Sequence, residues 1–127
     1  MRRVSMGLFD FFKGDEAEET RTDRYWTLAT IDGEIEDPTM EQIQQAVENA
    51  TQKETLFATL VFLNSGLEIK SIQAISDQGL YRFEALTSTG TMYVKNDIPY
   101  EETLELFEQF FKYQRVPGYK SWLVEKY

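Results

Sequence analysis

The 127-residue chain contains no cysteine and no histidine, only three prolines, and 13 basic residues against 22 acidic ones. The first absence excludes a disulfide framework, a thiol nucleophile and thiolate-held zinc or iron. The second removes the commonest general base, the Ser-His-Asp arrangement and imidazole metal sites. Catalysis of any kind would have to run on carboxylates, lysine, tyrosine and hydroxyls. A formal charge of −9 argues against nucleic acid as a partner, because phosphate neutralisation needs a basic face. No apolar run approaches the ~18 residues of a membrane span. Glycine-rich phosphate loops are also missing: Ser88-Thr89-Gly90-Thr91 comes nearest, but it joins two strand-like runs and opens no helix. No catalytic residue, metal ligand or cofactor site is assigned.

Targeting signals fail in the same way. Arg2-Arg3 is followed by an apolar run that Asp10 and Lys13 break too early for a signal peptide. Met6-Gly7 resembles a myristoylation start, yet the serine or threonine expected at its sixth position is missing. A cytoplasmic location is the expectation, with Met6 an alternative natural start.

What is present is a composition suited to a packed core: 42% hydrophobic and 14% aromatic residues. A chain of this length removes roughly two-thirds of its extended surface from water without needing staples. Residues 1–23 read as an N-terminal amphipathic segment and acidic linker, and residues 24–127 as one domain. In the first segment, Leu8, Phe9, Phe11 and Phe12 fall on one side of a short helix, with Asp10 and Lys13 opposite. It lacks the basic polar face of a membrane-surface helix, and the adjoining acidic run is repelled by anionic lipid. So short a helix needs something to pack on. It is expected to dock on its own domain, or on a second copy and so form a homodimer.

Residues 24–31 alternate as a strand, with Tyr25, Thr27, Ala29 and Ile31 opposite Trp26, Leu28 and Thr30; Asp32-Gly33-Glu34 then supplies a turn. Residues 37–50 form the best-marked helix. Asp37 caps it with Pro38 at the first position, or Thr39 caps it with Gln42 closing a capping box. Met40, Ile43, Val47 and Ala50 make its apolar stripe. Four strand-like runs follow at 55–64, 67–75, 80–87 and 91–95, joined by short glycine-containing links that predict antiparallel hairpins, with a bulge in the second run. A second helix over 99–114 carries Leu104, Leu106, Phe107, Phe110, Phe111 and Tyr113 on a wide stripe that needs a sheet beneath it. Pro117-Gly118 ends it, and the last residues read as a short strand or helical turn. The expected fold is α+β: an antiparallel sheet of about five strands, four in a meander, with two main helices packed on it.

The acidity is concentrated. Residues 25–54 hold seven carboxylates against one lysine. Asp32, Glu34, Glu36 and Asp37 surround a turn and Glu41 begins the helix, a field able to steer a basic protein partner. The glycine and distant glutamate of a calcium-binding helix-loop-helix are absent, so the cluster reads as a solvated acidic turn and not as a metal site. Trp26 and Trp122 are candidate partner anchors, although core packing is the more frequent fate of tryptophan. Lys70, Arg82 and Lys95 alternate with apolar residues on three successive strands, accompanied by Glu68 and Glu84. They are expected to form cross-strand ion pairs on a wet sheet face, or a basic ligand strip.

The capped helix at 37–50, the apolar strand at 56–63, the meander and the helix at 99–111 together resemble small bacterial immunity proteins of polymorphic toxin systems. The resemblance covers roughly residues 25–113 and lies in order and texture, not in a diagnostic motif. It implies a non-catalytic protein-binding module that holds a basic toxin through an acidic and aromatic surface. Two alternatives stand beside it. One is a small-molecule binder or enzyme with a pocket between sheet and helices. The other is a dimer similar to type III secretion chaperones.

Overall fold

The computed structural model describes residues 21–52 and 56–127. The helix expected around Leu8, Phe9, Phe11 and Phe12 lies outside the described residues. The described chain is α+β, an antiparallel sheet carrying two α-helices. The strands are β1 (Tyr25–Thr30), β2 (Gly33–Glu36), β3 (Phe57–Leu63), β4 (Ile69–Asp77), β5 (Leu80–Thr87), β6 (Thr91–Ile98) and β7 (Leu123–Lys126). The helices are α1 (Met40–Asn49) and α2 (Tyr100–Tyr113). Spatial order is β2-β1-β3-β4-β5-β6-β7.

Seven strands stand where about five were expected, and both additions are edges. Gly33–Glu36 does not merely turn the chain: it pairs back on β1, with Leu28 opposite Ile35. The last residues form a 3-10 turn at Tyr119–Ser121 and then β7 against β6. Both edge strands are four residues long, and every residue in them is exposed. Shortness and charge limit further pairing along such edges.

Thr39 is the N-cap of α1. Its hydroxyl accepts from Gln42 N–H at 3.1 Å, and the Gln42 side chain accepts from Thr39 N–H at 2.9 Å, completing the capping box. Asp37 instead takes φ 53° and donates its N–H to the Trp26 carbonyl at 2.8 Å, closing the hairpin before the helix. In α2 the first turn carries Glu101 and Glu102 and the last turn Lys112, each charge facing the favourable end of the helix dipole.

Strand register sorts the side chains into two faces. Leu28, Leu60, Ile72 and Ala85 lie in one cross-strand row, next to Ala58, Ala74 and Phe83 in another. The helices cover this face, with Ile43, Val47, Phe107 and Phe110 fully buried against it. The wide stripe of α2 is only partly used: Tyr113, expected in the core, is the last residue of the helix and is 57% exposed. The opposite face presents Thr27, Val61, Ser71 and Leu86 in one row, and Thr59, Gln73, Glu84 and Val94 in the next.

Two bulges adjust the alternation. In β4 the register shifts between Ile69 and Ser71, so Ile69 joins the helix-side core although Ser71 faces away. The shift in the β5–β6 pair leaves one residue of β5, Arg82, opposite two of β6, Asn96 and Asp97. Asp97 sits there at φ 59°, and Ile98 is thereby brought to the helix side beside Tyr81. The β4–β5 hairpin closes through Gln78 and Gly79, both at positive φ (54° and 85°), the arrangement whose twist matches two-residue hairpins.

Candidate functional site

The acidic cluster maps onto the β1–β2 hairpin and the start of α1. Asp32, Glu34, Glu36, Asp37 and Glu41 are all exposed, along one edge of the sheet and the adjoining helix turn. Glu34 and Glu36 are two apart in a strand, so they share the face away from the helices. Among the described residues, no three carboxylates come together as a metal site would require.

The patch carries its own counter-charge at one end. The Arg21 guanidinium lies 3.2 Å from Glu36, 3.1 Å from Asp37 and 2.6 Å from Asp23, and stacks 3.7 Å over the Tyr25 ring. The hydrogen bond to Asp23 is the main cause that raises the Arg21 pKa, and the same bond lowers that of Asp23. Asn64 fixes the approach by donating to the carbonyls of Arg21 and Asp23 at 3.1 and 2.8 Å. The Glu36–Asp37 end is thus partly neutralised. Nothing in the sequence marked Arg21 for this role, because its partners lie some 15 residues away.

The two tryptophans have different surroundings. Trp26 stacks on Phe62 with centroids 4.1 Å apart and planes 3° from parallel, and meets Phe110 and Phe111 edge-on at 5.2 and 5.1 Å. It is half-buried and committed to seating α2 on β1 and β3. Trp122 packs edge-on against Phe83 at 5.7 Å and also forms one wall of a cleft of about 450 Å³. That cleft lies between β6, α2 and the C-terminal turn, lined further by Lys95, Glu102, Glu105, Gln109 and Arg115. Lys95 Nζ pairs with Glu102 at 2.8 Å and sits 5.8 Å over the Trp122 ring. Arg115 donates to Gln109 at 3.2 Å.

The three strand cations do not assemble as expected. Lys95 is opposite Phe83 and faces the helices, whereas Arg82 lies on the other face; Lys70 sits at the β4 bulge. Among the described residues these cations form no strip; Lys95–Glu102 and Arg82–Glu125 pair at partly exposed positions, whereas Arg82 also pairs with a buried carboxylate, Glu84. Glu84 is 6% exposed, inside a chain of hydrogen bonds. Thr59 donates to Gln73 at 2.6 Å, Gln73 to Glu84 at 2.8 Å, and Arg82 both to Glu84 at 2.7 Å and to Glu125 at 2.9 Å. The bond to Glu84 is the first cause raising the Arg82 pKa. Thr27 and Ser71 hydroxyls on the same face are buried without a partner.

No helix among the described residues is long and apolar enough to cross a membrane. Comparison of the chain with protein-family models, with curated proteins and with solved structures finds no match.

Proposed function

We propose that this chain is a protein-binding module, immunity-like in its mode of action, that engages a basic protein through the acidic hairpin edge and the first turn of α1. The observation that carries the reading is the exposure of Asp32, Glu34, Glu36, Asp37 and Glu41 along one edge, where Arg21 pairs with Glu36 and Asp37. Exposed carboxylates of one sign act over about 8–10 Å in salt and mainly accelerate encounter. Ile31 and Ile35, 50% and 39% exposed among these charges, offer apolar contact once the partner has arrived. Trp26 is a support for the fold in this reading and not an anchor.

The test is kinetic. A partner recovered by native affinity capture, then produced separately, should associate more slowly with a Glu34→Lys/Glu41→Lys chain at low salt. The difference should shrink as ionic strength rises. Association rates unaffected by the double charge reversal would overturn the acidic-edge reading.

The cleft beside Trp122 favours a second reading, a small-molecule binder. Its volume of about 450 Å³ falls within the range of ligand sites, and Arg115 stands in it beside the Trp122 wall, with Lys95 paired to Glu102. Arg115→Ala should then weaken binding of an anionic aromatic ligand found by screening. Retained affinity in that variant would exclude the cleft as the site.

A further inference from the structure

The centre of the sheet face turned away from the helices is closed to solvent, although no described element lies on it. Val61, Ser71 and Val94 are 1%, 0% and 1% exposed, and Leu86 is 5% exposed. None of the four belongs to the cluster formed with the helices. Small and medium side chains in the middle of a bare sheet would remain open to water, so something within the chain covers them. A sheet buried on both faces also explains why Glu84 is held in a complete hydrogen-bonded chain instead of pointing into solvent.

The point where the described chain begins shows which side the preceding residues enter from. Arg21 stacks on Tyr25 and pairs with Glu36, and both side chains belong to the face away from the helices. The twenty residues before Arg21 are thus joined to the described chain beside that face. They hold a cluster with helical spacing, Leu8, Phe9, Phe11 and Phe12. From Gly14 to Arg21 the chain can reach up to about 25 Å at its extended rise. From β1 to β5 is three strand spacings, about 14 Å. The reach suffices.

We propose that Leu8, Phe9, Phe11 and Phe12 dock in cis on the second face of the sheet, over Val61, Leu86 and Val94, making the domain a three-layer helix–sheet–helix body. The acidic stretch 15–20 serves as the strap that carries the cluster from Arg21 across the face. This proposal stands independently of what the acidic edge binds.

The test uses the full-length protein. Methyl groups of leucine and valine are labelled, phenylalanine rings are left protonated and the rest is deuterated. Methyls of Val61, Leu86 and Val94 should give cross-peaks to phenylalanine rings that vanish one by one in Phe9→Leu, Phe11→Leu and Phe12→Leu. A mixed sample, with methyl labels on one set of molecules and protonated rings on the other, should give none of these cross-peaks. Cross-peaks in the mixed sample would assign the contact to a second copy and overturn docking in cis. Their absence from the singly labelled sample would overturn the proposal outright. A Phe11→Asp/Phe12→Asp chain should bind several-fold more of a hydrophobic dye and shift the same three methyls, leaving those of Val47 and of Leu60 on the helix side in place. Unchanged dye binding and unchanged methyl positions would count equally against it.

Discussion

Tyr81→Phe separates two contributions that a single stability value would merge. Tyr81 is wholly buried, and its hydroxyl donates to the Val47 carbonyl at 2.5 Å, tying β5 to the last turn of α1. Removing that hydroxyl at neutral pH leaves the carbonyl short of a donor and should cost about 1–2 kcal/mol. For a chain of this size the loss appears as a fall in Tm of roughly 3–5 °C per kcal/mol. The alkaline limb then works in the opposite sense. Burial, aided by the nearby Tyr100 and Glu48, pushes the Tyr81 pKa from 10 up to about 12. Between these values the unfolded chain has lost the proton and the folded chain has kept it, so stability falls as pH rises through that window. At 1.36 kcal/mol per pH unit, the two-unit window removes up to about 2.7 kcal/mol. Phenylalanine has no proton to lose. Urea unfolding, followed by the emission of Trp26 and Trp122 at intervals from pH 7 to 12, should show the wild type ahead at pH 7. The two curves should converge, or cross, near pH 12. Some alkaline fall remains in both proteins, because Tyr119 is raised to about 12 by its hydrogen bond to Glu68 and Tyr127 is raised by burial. Curves that stay parallel from pH 9 to 12, or a cost below about 0.5 kcal/mol at pH 7, would refute the reasoning.

Three further substitutions probe particular links. Thr39→Ala removes the hydroxyl that accepts from Gln42 N–H, one half of the capping box, and should cost about 1 kcal/mol in urea unfolding, with Thr39→Ser recovering most of it. Gly79→Ala meets no neighbouring atom but forces alanine to φ 85°. The price is conformational, about 1–2 kcal/mol by thermal unfolding, and Gly79→Asn should be milder. Thr27→Val replaces a buried hydroxyl that has no partner, and should leave stability unchanged or raise it by up to about 1 kcal/mol in the same assay.

Local chemistry was legible wherever the determining residues sit next to one another. The capping box needs only Thr39 and Gln42, and the β5 alternation of Tyr81, Phe83 and Ala85 against Arg82 and Glu84 needs only eight residues. The acidic hairpin was visible for the same reason. Its partner Arg21 was not, since the pairing depends on Asn64 holding the incoming chain beside β1. The Trp122 cleft was equally hidden: Lys95, Glu102, Arg115 and Trp122 come from β6, α2 and the turn after it. The edge strand β2 was read as part of a turn, and the last residues as either a short strand or a helical turn, because four-residue segments carry too little alternation to declare themselves.

From its sequence alone this chain is committed to an α+β fold, to two amphipathic helices, to a meander of hairpins and to an acidic segment on one turn and one helix. Each follows from periodicity, capping or charge within about a dozen residues. Which face a residue joins was decided by tertiary structure. A one-residue bulge near Asp97 sends Ile98 to the helix side, and the slip after Ile69 sends Ser71 to the other. Tertiary structure also decided that the expected wet face would be a buried one. Whether Glu84 and Arg82 meet water depends on what lies across the sheet, and alternation within one strand carries no information about that.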